Sequence, residues 1–150
     1  MSLEQEVELI RQIPIFKKIP PAMQKLLCFG SERLTYNAGQ ILCKAGDVGD
    51  AGYVLIEGAV EITVPTPKGP IVINTMGRNE VIGEIAIFGD VPRTATVTAT
   101  TRGEALKISK ELFINIVRQN PDAAIELIRI LAIRLSNTTQ QLTRTAAAAK

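Results

Sequence analysis

Every one of the chain's eleven glycines lies between Gly30 and Gly103, and the segments before and after that window contain none. Glycine enters turn and bulge conformations closed to other residues, and it weakens helix interiors. A chain divided in this way reads as turn-rich β-structure in the middle with a helical segment at each end. The apolar pattern agrees. Residues 32–36, 40–44, 51–56, 60–64 and 71–76 are short strand-like runs separated by glycine, proline and aspartate turns. Residues 94–100 alternate threonine with alanine or valine, the period of two that a strand with distinct faces requires, and 105–108 add a further strand. Strands this short and this closely spaced argue for an all-β sandwich, roll or barrel.

The flanks carry helix signals. Ser2-Leu3-Glu4-Gln5 fits a capping box, in which the serine hydroxyl and the Gln5 side chain satisfy each other's backbone N–H groups. Leu3, Val7 and Ile10 follow at helical spacing; Pro14 ends that element, and Pro20-Pro21 opens a second short helix through Leu27. At the other end, Ser109 is an N-cap for a helix over 110–118. In Asn120-Pro121-Asp122 the asparagine caps, the proline sits where its missing N–H costs little, and the aspartate suits the positive helix end. A long helix should run from there to the early 140s, with residues 146–150 frayed. The expected architecture is one mainly β domain. Helices occupy about 2–29, an antiparallel β-roll (a jelly-roll-like double-stranded β-helix) about 30–108, and C-terminal helices about 110–143.

Composition narrows the chemistry. With 150 residues the chain can bury a core without staples. It has no histidine, so Ser-His-Asp triads, Cys-His dyads and His-ligated metals are ruled out within the chain; no catalytic or metal residue is assigned, no cofactor is called for, and the chain reads as a non-enzyme. Cys28 and Cys43 cannot supply a four-cysteine site and read as buried small hydrophobes in a reducing compartment. The net charge of +2, with no run of five like charges, argues against a nucleic-acid surface. The N-terminus has no signal pattern, so a cytoplasmic location is expected. The most apolar stretch, 123–135, is broken by Glu126, Arg129 and Arg134 and does not make a membrane span.

One segment concentrates binding chemistry: Ile82-Gly83-Glu84-Ile85-Ala86-Ile87-Phe88-Gly89-Asp90-Val91-Pro92-Arg93-Thr94-Ala95-Thr96-Val97. Gly83 permits close backbone approach. Residues 84–88 make about one helical turn, whose first N–H groups favour an anion. Arg93 follows just before a strand, and its planar fork suits phosphate oxygens; Pro92 stiffens its approach. The Glu84 carboxylate would repel a phosphate, so it is better placed to accept a hydrogen bond from a hydroxyl on the same ligand. Phosphate plus hydroxyl points to a sugar phosphate or nucleotide.

Gly83-Glu84-Ile85-Ala86 followed by Pro92-Arg93-Thr94-Ala95-Thr96-Val97 closely resembles the phosphate-binding cassette of cyclic nucleotide-binding domains, found in kinase regulatory subunits, gated channels and the bacterial catabolite activator. Ala45-Gly46-Asp47 and the stretch from Tyr53 to Val60 resemble that family's strand–turn pattern, and the likeness runs from about Ile15 to Leu142. The resemblance implies that Glu84 accepts the ribose 2′-hydroxyl and Arg93 pairs with the cyclic phosphate. Backbone amides around Ile85, Ala86 and Ala95 would complete the phosphate site. Thr94 stands at the hydroxyl position, which permits cGMP without demanding it, so cAMP and cGMP both remain open. Ile82 replaces a phenylalanine common in the family. In the bacterial activators the long helix brings polar side chains to the adenine edge, and counting from Asn120 puts Thr138 and Thr139 at that position as a base lid. No helix-turn-helix, kinase or channel sequence follows the last helix, so no DNA-binding domain is expected in this chain.

Blander readings compete. Glu84 and Arg93 alone could be a surface ion pair contributing about 0–1 kcal/mol; the whole cassette in register favours binding. The glycine-rich stretch 46–52 lacks the lysine of a phosphate loop and the closing glutamate of a calcium loop, so it reads as a turn. Ala124, Ile128, Leu131, Leu135, Thr138 and Leu142 form a coiled-coil-like seam. The helix carrying them either packs on its own roll or pairs with a second copy as a homodimer. The rivals to a nucleotide-binding regulatory module are a cupin-like enzyme, disfavoured by the lack of histidine, and a ligand-free dimerisation or interaction module of the same fold.

Overall fold

The capping box forms as its residues require. Ser2 Oγ accepts from the Gln5 N–H and Gln5 Oε1 accepts from the Ser2 N–H, starting α1 (Leu3–Arg11). The computed structural model describes residues 2–148, apart from the side chains of Ile85 and Ala148. A turn after α1 buries Ile13, Ile15, Phe16 and Ile19. α2 (Pro21–Gly30) opens at its proline and continues past Leu27, since Gly30 lies against Leu112: a Cβ there would sit 2.7 Å from Leu112 Cδ2.

The glycine-bearing centre is two four-stranded antiparallel sheets. One contains β1 (Glu32–Tyr36), β3 (Ala51–Glu57), β6 (Val81–Ile82) and β8 (Gly103–Ser109) in the order β1-β8-β3-β6. The other contains β2 (Ile41–Cys43), β4 (Val60–Val64), β5 (Ile71–Met76) and β7 (Thr96–Ala99) in the order β2-β7-β4-β5. Each sheet joins early strands to late ones, with Val54 opposite Leu106 and Ile62 opposite Val97. That interleaving makes the roll, and with helices at both ends the expected fold class holds. β7 is shorter than the threonine alternation predicts, because Thr94 and Ala95 belong to the loop before it. β6, only two residues long, carries too little pattern to be read in advance.

Strand β3 explains the two cores. Six of its residues are buried in succession. Val54 and Ile56 face a cluster with Phe16 of the turn after α1, Ile108 of β8, and Leu27, Phe113, Ile116 and Leu127 of the helices, while Tyr53 and Leu55 face Val60, Ile62, Val97 and Ala105 inside the roll. A strand covered on both faces loses the polar–apolar alternation and reads as one continuous apolar run. Phe113, on α4 (Lys110–Gln119), meets the Phe16 ring at 5.9 Å and the Phe88 ring at 5.5 Å. These contacts lock the C-terminal helices to the roll.

Three local expectations are corrected. Ser109 caps α4 through its hydroxyl, as read, but Asn120 caps backwards. Its side-chain amide donates to the Ile116 carbonyl at 2.8 Å, closing the end of α4, and only its backbone carbonyl accepts from Ala123 and Ala124 in α5 (Pro121–Ala148). α5 continues past the early 140s to Ala148, consistent with alanine's high helix propensity. Cys28 and Cys43 are half-buried free thiols rather than fully buried ones. α5 packs through Ala123 and Leu127; Ile128, Leu135 and Leu142 of the apolar seam are 65–68% exposed in the single chain.

Candidate functional site

The chain leaves β6 at Gly83 with φ of 87°, a conformation that favours glycine. A side chain there would also collide with Nη1 of Arg93. This bend starts α3 (Glu84–Phe88), a single helical turn, and the backbone then returns through Asp90, Pro92 and Arg93 into β7. The stretch 46–50 braces the return: Gly46 N–H donates to the Arg93 carbonyl and Arg93 N–H to the Asp47 carbonyl, both at 2.8 Å. Gly49 lies so close to Ala86 that a Cβ at Gly49 would overlap it. The glycine-rich stretch is therefore a structural turn, clasped to the cassette.

Two charged side chains are buried here: Glu84 is 3% exposed and Arg93 6%. The Arg93 guanidinium donates to the Gly83 carbonyl at 3.2 Å and to the Ala51 carbonyl, and its carbon lies 5.7 Å from the centre of the Tyr53 ring. Among the described residues no carboxylate pairs with it. A buried cation held by carbonyl dipoles and an aromatic face, with further N–H groups to offer, has the chemistry to accept an anion.

Glu84 is satisfied differently. Its Oε1 pairs with Nη1 of Arg134, whose Nη2 donates to the Val81 carbonyl at 2.7 Å. Among the described residues no donor engages Oε2. A carboxylate with one oxygen fixed and the other uncommitted suits an incoming hydroxyl.

Gly83, Glu84, Ala86, Arg93, Thr94 and Ala95 all line one open cavity of about 90 Å³, and Arg134 closes part of its wall. The remaining wall is apolar: Cys43, Ile62, Met76, Ile82 and Val97. Ile82 is buried, 3% exposed, so the missing phenylalanine leaves no open face at that position. Burial pushes the Cys43 thiol above its ordinary range, with Arg93 opposing the shift. Ile85 lies in α3, and its side chain is outside the described part. Thr94 is exposed at the rim.

The structure does not bring Thr138 and Thr139 to this cavity. Both are exposed, and their hydroxyls donate at 2.9 Å to the Arg134 and Leu135 carbonyls of their own helix. The α5 residue that reaches the site is Arg134, one turn earlier. In the sequence it shows only as a charge interrupting an apolar stretch, in line with Thr138 four residues on. Among the described residues no cluster of three or more Cys, Asp or Glu could hold a metal ion, and no helix is long and apolar enough to cross a membrane.

The class of fold is an antiparallel roll that carries a buried arginine and a buried carboxylate on one glycine-bent loop. Residues 33–120, more than half of the chain, match the family model of the cyclic nucleotide-binding domain, and the chain belongs to that family. It is similar to the CRP-like cAMP-activated global transcriptional regulator of Mycobacterium tuberculosis, 27% identical over 136 residues, which cover 90% of this chain and 61% of the regulator. A cyclic nucleotide-gated potassium channel of Rhizobium etli is 31% identical over 126 residues, covering 84% of this chain and 34% of the channel. The chain thus spans less than two thirds of the regulator and about one third of the channel. The Thermus thermophilus catabolite activator protein superimposes with a TM-score of 0.75 at 25% identity, over 89% of this chain and 63% of that one.

Proposed function

We propose that this domain binds a cyclic mononucleotide, cAMP or cGMP, in the cavity bounded by the cassette and Arg134, and acts as a regulatory module rather than an enzyme. The observation that carries the reading is the buried Arg93, paired with no carboxylate among the described residues, lining a cavity that Glu84 also lines. In this reading Arg93 takes the cyclic phosphate, helped by the N–H groups at the start of α3 and near Ala95. Glu84 accepts the ribose 2′-hydroxyl on Oε2 while Arg134 keeps Oε1. Cys43, Ile62, Met76 and Val97 offer the base an apolar wall. Because Arg134 belongs to α5, a ligand that settles Glu84 also favours one position of that helix, and this differential contact is what a signal requires. Thr138 and Thr139 would cover the base only if the helix shifts.

Calorimetric titration with cAMP and with cGMP tests the reading and ranks the two ligands. The nucleotide should be recovered intact afterwards, with or without magnesium or manganese. A second reading, assembly as a homodimer, is favoured by the exposed seam of Ile128, Leu135 and Leu142. It is compatible with ligand binding, and sedimentation of the ligand-free and nucleotide-loaded protein tests it.

A further inference from the structure

Among the described residues the most exposed large apolar side chain is not on α5. It is Val48, 83% exposed at the tip of the stretch clasped to the cassette, and Phe88 at 38% and Val91 at 42% lie on the cassette itself. The contacts that gather these segments have been given above: Gly49 against Ala86, and the Asp47 carbonyl receiving the Arg93 N–H. A third link ties in α4, where the Lys110 N–H donates to the Asp50 carbonyl at 2.9 Å and Lys110 Nζ pairs with Asp90 at 3.3 Å. Three segments thus converge on the outer face of the cassette, opposite in role to the cavity wall that Arg93 and Glu84 form. Val48, Val91 and the part of the Phe88 ring that Phe113 does not cover are left in water here, and exposed patches of this kind mark interaction sites.

The charges around the patch say what it fits. Asp47, Asp50, Asp90 and Glu111 are all exposed, against Lys44 and Lys110, of which Lys110 is already paired with Asp90. An acidic rim is unusual on a chain whose net charge is +2. It disfavours an anionic lipid surface or a nucleic acid and selects a cationic partner. We infer that the outer face of the cassette is a docking surface for a protein partner's basic amphipathic segment, whose apolar residues cover Val48, Phe88 and Val91 while its lysines or arginines meet Asp47, Asp50 and Asp90. This surface is built without the cavity's polar groups, so it does not depend on the nucleotide reading.

The test uses the full chain without nucleotide. The probe is an 18-residue helical peptide of leucine, phenylalanine and arginine; a matched peptide with glutamate in place of arginine is the control. Methyl NMR follows Val48 and Val91. The expected result is that the basic peptide shifts both methyl sets and the acidic one shifts neither. V48S/V91S and D47K/D50K should each weaken the basic peptide at least tenfold. All four positions are exposed, so the variants should fold, and an unchanged spectrum of the buried core methyls verifies it. Shifts confined to Ile128 and Leu135 on α5, equal binding of the two peptides, unchanged affinity in V48S/V91S, or Val48-dependent binding to phosphatidylglycerol vesicles would each overturn the inference.

Discussion

Arg134 and Glu84 stand fifty residues apart, yet their side chains form an ion pair with the carboxylate 3% exposed and the arginine 21%. The pair, with the Arg134 bond to the Val81 carbonyl, is a polar tie between the last helix and the cassette. Removing one partner of a buried pair leaves the other charge without compensation, at a cost of about 3 kcal/mol or more. R134A should therefore lower the unfolding free energy measured in urea by about that amount, and R134A/E84Q should recover part of it, since a neutral amide needs no cation. A double-mutant cycle measures the coupling. Additive effects would mean that the two side chains do not interact in solution.

The free Oε2 of Glu84 makes a prediction about the ligand. If it accepts the ribose 2′-hydroxyl, a 2′-deoxy cyclic nucleotide loses a charged hydrogen bond contributing about 1.5–3 kcal/mol. Competition against a fluorescent cyclic nucleotide should show the deoxy ligand at least tenfold weaker. Equal affinities would give Glu84 a purely structural role beside Arg134.

Alkaline pH should destabilise the domain through two buried acids, Cys43 and Tyr53. Burial pushes the Cys43 thiol above its ordinary 9.0, and it pushes the Tyr53 hydroxyl above its ordinary 10.0, with Cys43 adding and Arg93 opposing. Below the ordinary values both groups are neutral in the folded and unfolded chains, and stability does not depend on them. As pH rises past those values the unfolded chain gives up its protons first, so stability falls until the folded groups titrate as well. Urea midpoints should decline between about pH 8 and about pH 10.5, and C43V should flatten the early part of that decline. A midpoint flat across the range would contradict the burial of both groups.

Nucleotide should be felt in two separated segments. Hydrogen exchange with and without ligand should show rising protection in residues 83–95 and in 134–141, the part of α5 that begins at Arg134. Protection confined to the first segment would make α5 a fixed packing or dimer element, with no lid formed by Thr138 and Thr139.

Much of this was legible in the sequence, for identifiable reasons. The glycine window, the Ser2 capping box and the alternation near Thr96 are local signals, and local geometry realises them. The buried pair Glu84 and Arg93 was legible because one short segment carries both. Arg134 was not, since its role depends on where a helix fifty residues away crosses the cassette. Asn120 was misread because its side-chain amide can also close the helix before it, and it donates to the Ile116 carbonyl four residues back. Thr138 and Thr139 illustrate the opposite problem: their positions follow a register that fits the resemblance, but hydroxyls on an exposed helix face bond to the helix's own carbonyls when nothing else is offered.

The central claim is that Arg93 is the buried cation that receives a cyclic phosphate. Calorimetric titration of the protein and of R93A with cAMP and cGMP tests it most directly. Losing one partner of a desolvated charge pair costs about 2–5 kcal/mol. The account predicts saturable binding of at least one of the two nucleotides and a loss of at least tenfold in R93A, with the variant's folding verified by circular dichroism. No binding of either nucleotide to the unmodified protein, or equal affinity in R93A, would contradict it.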